Sequence, residues 1–491
     1  PTPPNPRSSP VQRNTIRTLI AVAGLALAPF TALAQAPAPT AKPAAESTTP
    51  VSKLPTNDAL ISKIDAIAAQ ALSVPGAAGL SIAIARGDSI ILSKGYGKAD
   101  LEHDVPATEA TLFRIASVTK QYTASAIMKL VEQKKVSLDD DITKYVEFDT
   151  KGKKVTVRHL LNHTSGIKSY TDIDGFFDNG GGLKDLTPTQ IVDLVREFPF
   201  DFEPGEKQQY NNTGYIMLGM IIEKITGKTY AQHMQDEFFT PLKLTHTRYD
   251  VGSEIIPHRA RGYGMGKEGP ANAPYLSMTL PYAAGSLLST AGDLVAWQQA
   301  LVSGKVVSPD SYKQMTTPTT LTDGSKIDYG FGLQISPDLH ARRAILHGGG
   351  IHGFNSTLAY FVDDQLSVSV ISNTHAVPAG QLAHEIAAFA LGVSDPALKD
   401  LELPAAELEP LTGTYTLADL GMDLIVTAAN GKVRVQGTGQ PAVPVMAQGN
   451  RVFKASWDKT MTLTFEAPTD GKSPALTLNQ RGGTFKGTRK P

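Results

Sequence analysis

The stretch Arg114-Ile115-Ala116-Ser117-Val118-Thr119-Lys120 opens a segment in which Ala124, Ile127, Met128 and Val131 recur at helical spacing. A helix starting here sets Ser117 at its beginning and Lys120 one turn on, along the same face. A hydroxyl then lies beside an amine at a helix N-terminus, where partial positive charge favours a developing oxyanion. A lysine with a lowered pKa can take the serine proton and so make a nucleophile. In isolation Ser-x-x-Lys also reads as an N-cap serine with a solvated lysine, so the chemistry depends on its company.

Two other segments supply that company. Tyr210-Asn211-Asn212 follows the turn Glu203-Pro204-Gly205-Glu206 and precedes a helical pattern running from about Thr213 to Ile225, with Gly227 as a natural C-cap. A Tyr and an Asn two residues apart in a loop can both point into a cleft, although packing and capping would also explain them. The third segment is Leu346-His347-Gly348-Gly349-Gly350, at the end of a strand pattern. Its glycines read either as a turn or as a place where a substrate backbone can approach the strand and pair with its edge.

Around these segments the order of elements implies one discontinuous α/β unit. A helix patterned on Leu60, Ile61, Ile64, Ile67, Ala68 and Ala71 precedes a hairpin, Leu80–Ile84 and Ile90–Leu92, turning at Arg86-Gly87-Asp88. A helical middle follows, including a helix opened by Thr187-Pro188-Thr189-Gln190. Strands return at Gly330–Leu333, Ala344–Leu346, Ser356–Val362 and Leu366–Val370, and a last helix covers about Gln381 to Leu391. The expected architecture is an antiparallel sheet built from both ends of the segment, with the terminal helices on one face and a mostly helical insertion beside it. The cleft between them is the expected binding site.

With these three motifs in this order, the chain resembles the serine β-lactamase and penicillin-binding-protein superfamily. It most resembles the branch of class C β-lactamases, DD-carboxypeptidases, D-aminopeptidases and related esterases. The resemblance runs from about Asp58 to Leu391 and takes in Leu160-Leu161-Asn162-His163-Thr164-Ser165-Gly166 and Gly285-Ser286-Leu287-Leu288-Ser289-Thr290. It implies that Ser117 is the nucleophile, that Lys120 activates it, and that Tyr210 shuttles the proton to the leaving group. It further implies that Asn212 binds a substrate amide carbonyl, and that His347, Gly349 and Gly350 line the substrate edge. The N–H groups of Ser117 and Gly350 would form an oxyanion hole, each donor contributing about 3 kcal/mol. His347 stands where many relatives carry Lys, and Gly348 where many carry Thr or Ser, which weakens two contacts to a substrate carboxylate at once. An ester, a D-amino-acid amide or a short peptide is the expected substrate. A β-lactamase or DD-carboxypeptidase is the alternative within the class, and a non-catalytic binder of cell-wall peptides the alternative outside it. No metal or cofactor is expected, and His163 and Ser165 read as structural because no Gly-x-Ser-x-Gly elbow surrounds Ser165.

The chain has 491 residues, more than one ordinary core needs. Its 46 basic and 47 acidic residues balance, which gives no reason to expect a nucleic-acid partner. Without a single Cys, disulfides, thiolate metal sites and a cysteine nucleophile are excluded together. Arg7, Arg13 and Arg17, the apolar run Leu19–Ala28 and Ala32-Leu33-Ala34 read as a signal peptide over residues 1–34, hence a periplasmic or secreted protein with no stable membrane span after cleavage. An Ala/Pro/Thr/Ser-rich linker over 35–55 would lead into a hydrolase domain at 56–398. Short strand patterns after Pro404, with a hairpin signal at Asn430-Gly431, indicate a small all-β domain at 405–491, a barrel or half-barrel. The oligomeric state is not legible.

Overall fold

The computed structural model describes residues 54–266, 269–339, 342–393, 401–420, 422–429, 431–437, 442–455, 461–480 and 483–490. The signal peptide, and all but the last two residues of the linker, lie outside these residues. Among the described residues no helix is long and apolar enough to cross a membrane.

The central sheet has seven antiparallel strands drawn from both ends of the hydrolase region. They are β1 (Gly79–Arg86), β2 (Ser89–Asp100), β3 (Val105–Pro106), β4 (Gln334–Leu339), β5 (Arg342–Ile351), β6 (Phe354–Phe361) and β7 (Leu366–Ser372). Their spatial order is β4-β5-β6-β7-β1-β2-β3. β1 and β7 pair from Leu80↔Ser372 to Arg86↔Leu366, and this joins the two ends of the chain segment. Alternation along β1 sends Leu80, Ile82 and Ile84 to one core and Ala83 and Ala85 to the other.

The first core is closed by helix α1 (Asn57–Leu72), capped by Thr56, and by a helix near the end of the domain, Ala379–Ala390. The second, larger core holds α2 (Thr119–Glu132), α3 (Asn212–Thr226) and α4 (Ala291–Val302), with Tyr122 stacked on Trp297 at 3.9 Å between ring centres. Terminal helices on one face and the helical insertion on the other are as the sequence implies. The caps agree too: Thr187 and Gln190 form a capping box, and α3 ends at Gly227 with φ +69°.

Two local expectations change. Gly330–Leu333 is not a strand: Gly332 takes φ +68° and Gly330 packs against the Met315 carbonyl, so pairing starts only at Gln334. Ser117 precedes α2 in a 3₁₀ turn, Ala116–Val118, instead of occupying the α-helix itself.

The C-terminal strands close into an eight-stranded antiparallel barrel, Gly413–Leu417 through Gly483–Arg489, sealed by pairing of its first and last strands. Tyr415, Leu417, Phe453, Leu463, Phe465 and Leu476 fill it, and alternating outward positions such as Thr427 and Arg434 meet solvent. Closure removes the free edges that a half-barrel would leave.

Candidate active site

The nucleophile candidate is held on both flanks. Arg114 binds Asp250 at 2.8 Å, and Asp250, fully buried, also takes Arg259 at 2.9 Å. The Ile115 N–H donates to the Leu287 carbonyl at 3.0 Å, and the Ser356 hydroxyl donates to the Ile115 carbonyl at 2.7 Å. Between these anchors Ala116 is forced to φ +46°, an uncommon conformation for a residue with a Cβ, immediately before Ser117. The segment 285–290, noted in the sequence, acts here through the Leu287 carbonyl and through the neighbouring Ala284.

Lys120 is wholly buried. Its Nζ lies 3.1 Å from Ser117 Oγ, 2.8 Å from Asn212 Oδ1 and 2.9 Å from the Ala284 carbonyl. No carboxylate is among these partners. Burial without a counter-charge holds the amine well below its usual pKa. Two of the three partners can only accept, so they take two N–H bonds. In the neutral amine the third direction, toward Ser117, carries the lone pair, where it can receive the serine proton.

Tyr210 completes the group. Its ring centre lies 4.7 Å from Lys120 Nζ and its hydroxyl is shut off from solvent without a hydrogen bond of good geometry. Burial raises its pKa, and the nearby Ser117 hydroxyl opposes that shift. The buried segment 162–166 fixes the Tyr210 loop. The His163 carbonyl accepts from Gln209 N–H at 3.0 Å, Thr164 accepts from Gly205 at 2.8 Å, and Gly166 accepts from Asp201 at 2.8 Å. Asn211 caps α3 and Asn212 is its first residue. One Asn212 amide hydrogen goes to Thr171 at 3.1 Å, which leaves the second for a ligand.

On the opposite wall, β4 pairs with β5 only as far as Leu346, so one edge of residues 347–351 has no strand neighbour. Gly349 is a close approach: a Cβ there would overlap the Ile115 carbonyl and lie 3.1 Å from the Ser117 nitrogen. Gly350 is exposed, with open space beside it. His347 stands behind this wall, 2% exposed. Its Nε2 meets the Tyr329 hydroxyl at 3.0 Å and its Nδ1 the Gly348 carbonyl at 2.6 Å. Of the seven residues singled out in the sequence, Ser117, Asn212 and the Tyr210 ring surround the Lys120 amine, Gly349 abuts the Ser117 nitrogen with Gly350 next along the strand, and His347 is buried.

A beta-lactamase family model matches residues 64–391. The chain belongs to the beta-lactamase family. It is 32% identical over 310 residues to penicillin-binding protein 4* of Bacillus subtilis strain 168, covering 60% of this chain and 67% of that one. It is 26% identical over 380 residues to a D-aminopeptidase of Gluconobacter oxydans strain 621H, covering 76% and 69%. The solved structure of an octameric penicillin-binding protein homologue from Pyrococcus abyssi matches 87% of this chain and 100% of its own, with TM-score 0.65 at 27% identity. Relatives of this member of the beta-lactamase family thus include hydrolases, among them that D-aminopeptidase.

Sequence reasoning missed Tyr329, Thr171, Ser356 and the Ala284 carbonyl. Thr171 and Ser356 carry no local signal, and Ala284 acts through its backbone. His163 was legible as a scaffold residue but not as a partner of Tyr329, 166 positions away. One group of potential metal ligands occurs among the described residues, Asp100, Glu102 and His103. Arg261 already pairs with both carboxylates, which satisfies the oxygens a cation would need.

Proposed function

We propose that this chain is an exported serine hydrolase that forms an acyl-enzyme on Ser117. Lys120 is the base, Tyr210 carries the proton to the leaving group, and Asn212, Gly349 and Gly350 hold the acyl portion along the free edge of β5. One observation carries the reading: a fully buried lysine with no carboxylate partner, 3.1 Å from a serine hydroxyl. In this reading residues 1–34 direct export, 56–398 form the hydrolase and 405–491 an appended domain. The substrate is a small ester, a D-amino-acid amide or a short peptide, in keeping with the D-aminopeptidase relative.

Intact-mass spectrometry after mixing with an activated p-nitrophenyl ester tests this. An adduct of acyl mass that maps to the Ser117 peptide is expected. Turnover without an adduct on that peptide would sink the mechanism, and neither turnover nor adduct would favour a peptide-binding protein. Penicillins and cephalosporins are expected to turn over poorly, because Gly348 has no hydroxyl and His347 is neutral where a carboxylate would seek a cation. Burial drives the His347 pKa down to about 3, with the neighbouring Lys120 adding to the effect. Efficient β-lactam hydrolysis in a spectrophotometric assay would contradict this.

The pH dependence has a definite sign. A lysine acts as a base only when neutral, so kcat/KM falls on the acid side as Lys120 gains its proton. Since its pKa is depressed, the midpoint of that limb lies well below 10.5. Lys120→Arg is expected to be inactive across the whole range, because guanidinium does not deprotonate. A pH–rate profile of both proteins checks this.

A further inference from the structure

Three buried side chains, His163, Tyr329 and His347, run from the Tyr210 loop to β5. The Asn211 N–H meets His163 Nδ1 at 3.1 Å, and His163 Nε2 lies 3.1 Å from the Tyr329 hydroxyl. That hydroxyl lies 3.0 Å from His347 Nε2, and His347 Nδ1 lies 2.6 Å from the Gly348 carbonyl. The two ends dictate every proton between them. A backbone N–H can only donate, so His163 Nδ1 is bare and its hydrogen sits on Nε2. A carbonyl can only accept, so His347 carries its hydrogen on Nδ1 and presents a bare Nε2. Tyr329 therefore accepts from His163 and donates to His347, and all donors and acceptors are satisfied with both rings uncharged.

We propose that Tyr329 is a positioning residue: it clamps the Tyr210 loop to the glycine strand through this one-way chain and keeps both histidines neutral. The proposal deepens the acyl-enzyme reading and rests on it for its kinetic consequence. His163 packs against the Tyr210 ring with centres 4.4 Å apart, so the chain sets where Tyr210 sits. At its other end the bond to the Gly348 carbonyl orients the peptide next to Gly349, which abuts Ser117. The titratable groups facing the chain are Lys120, Tyr210 and Tyr215, the last also 5.2 Å from His163 between ring centres. None of these is a carboxylate that would stabilise an imidazolium. A charged imidazole here would be buried beside Lys120 with no counter-charge, so burial and Lys120 both hold the two rings toward their neutral forms. The neutral chain also assigns His347 a role behind the substrate wall: a ligand carboxylate near position 347 meets backbone and no charge.

The test is the tautomeric state of the two histidines by two-bond ¹H–¹⁵N correlation in ¹⁵N-histidine-labelled protein, assigned with His347→Gln. Expected at pH 7 are an Nε2–H tautomer for His163 and an Nδ1–H tautomer for His347. An imidazolium pattern or the opposite tautomer at either residue would overturn the proposal. This measurement requires no turnover, so it stands even if the acyl-enzyme reading fails. Kinetics on the activated ester then test positioning. Tyr329→Phe is expected to lower kcat by about 10- to 100-fold with little change in KM, the effect of a slightly displaced catalytic group. His347→Gln, which keeps one donor and one acceptor without a charge, is expected to retain most activity, while His347→Lys loses it. A Tyr329→Phe protein with wild-type kcat, even one of lower melting temperature, would reduce Tyr329 to packing. Activity raised by His347→Lys would show that position 347 works as a cation, and would equally refute the proposal.

Discussion

Replacing Ser117 by Ala is expected to abolish the ester burst and to lower kcat by about 10⁵- to 10⁶-fold, the scale found when a nucleophile is removed. The fold is expected to survive. Ser117 is half-buried and contributes one hydrogen bond to Lys120, whose amine keeps the Asn212 and Ala284 oxygens as acceptors. The turn itself is held by Ile115, Ser356 and the Arg114–Asp250–Arg259 group, none of which the substitution touches. Stopped-flow release of p-nitrophenolate, alongside a thermal melt, separates the outcomes. An inactive variant with an unchanged melt identifies the nucleophile. Equal turnover in variant and wild type would remove Ser117 from the mechanism.

Gly349→Ala is expected to lower kcat by about 10²- to 10³-fold, although no reacting atom is lost. The added methyl would overlap the Ile115 carbonyl and the Ser356 hydroxyl and press on the Ser117 nitrogen at 3.1 Å. The Ile115 carbonyl already accepts from Ser356, so the methyl would disturb that bond as well. Relief comes from sliding β5 away from the nucleophile turn, which separates the proposed Ser117 and Gly350 donors. Loss of one such donor costs about 10²- to 10³-fold in kcat. Gly349→Ala with wild-type kcat would mean that the spacing of these two elements does not govern catalysis.

The pattern of local signals carried much of this protein. Apolar periodicity placed α1, α2 and the Ala379–Ala390 helix, a turn signal placed the β1–β2 hairpin, and short strand patterns placed four of the eight barrel strands, because those choices depend on neighbours within a few residues; Asn430 of the Asn430-Gly431 turn signal lies outside the described residues. Ser117, Lys120, Tyr210, Asn212, Gly349 and Gly350 stood out in the sequence as candidates, each within a short motif, and their roles are those proposed above. Gly330–Leu333 was misread because alternation cannot reveal a left-handed glycine or a carbonyl from another segment pressing on it.

What the sequence alone determined is the chemistry on offer: a serine next to a lysine, a tyrosine in a loop, and a glycine-rich strand end in an α/β chain. Only the tertiary structure decided that Lys120 lies in a cage free of carboxylates, so that its amine can be neutral. It also decided that His347 faces inward to Tyr329 and His163 instead of outward to a ligand. Burial and hydrogen-bond partners set proton positions, and some of those partners, such as Lys120 with Ala284 and His163 with Tyr329, lie more than a hundred positions apart, where no local pattern connects them.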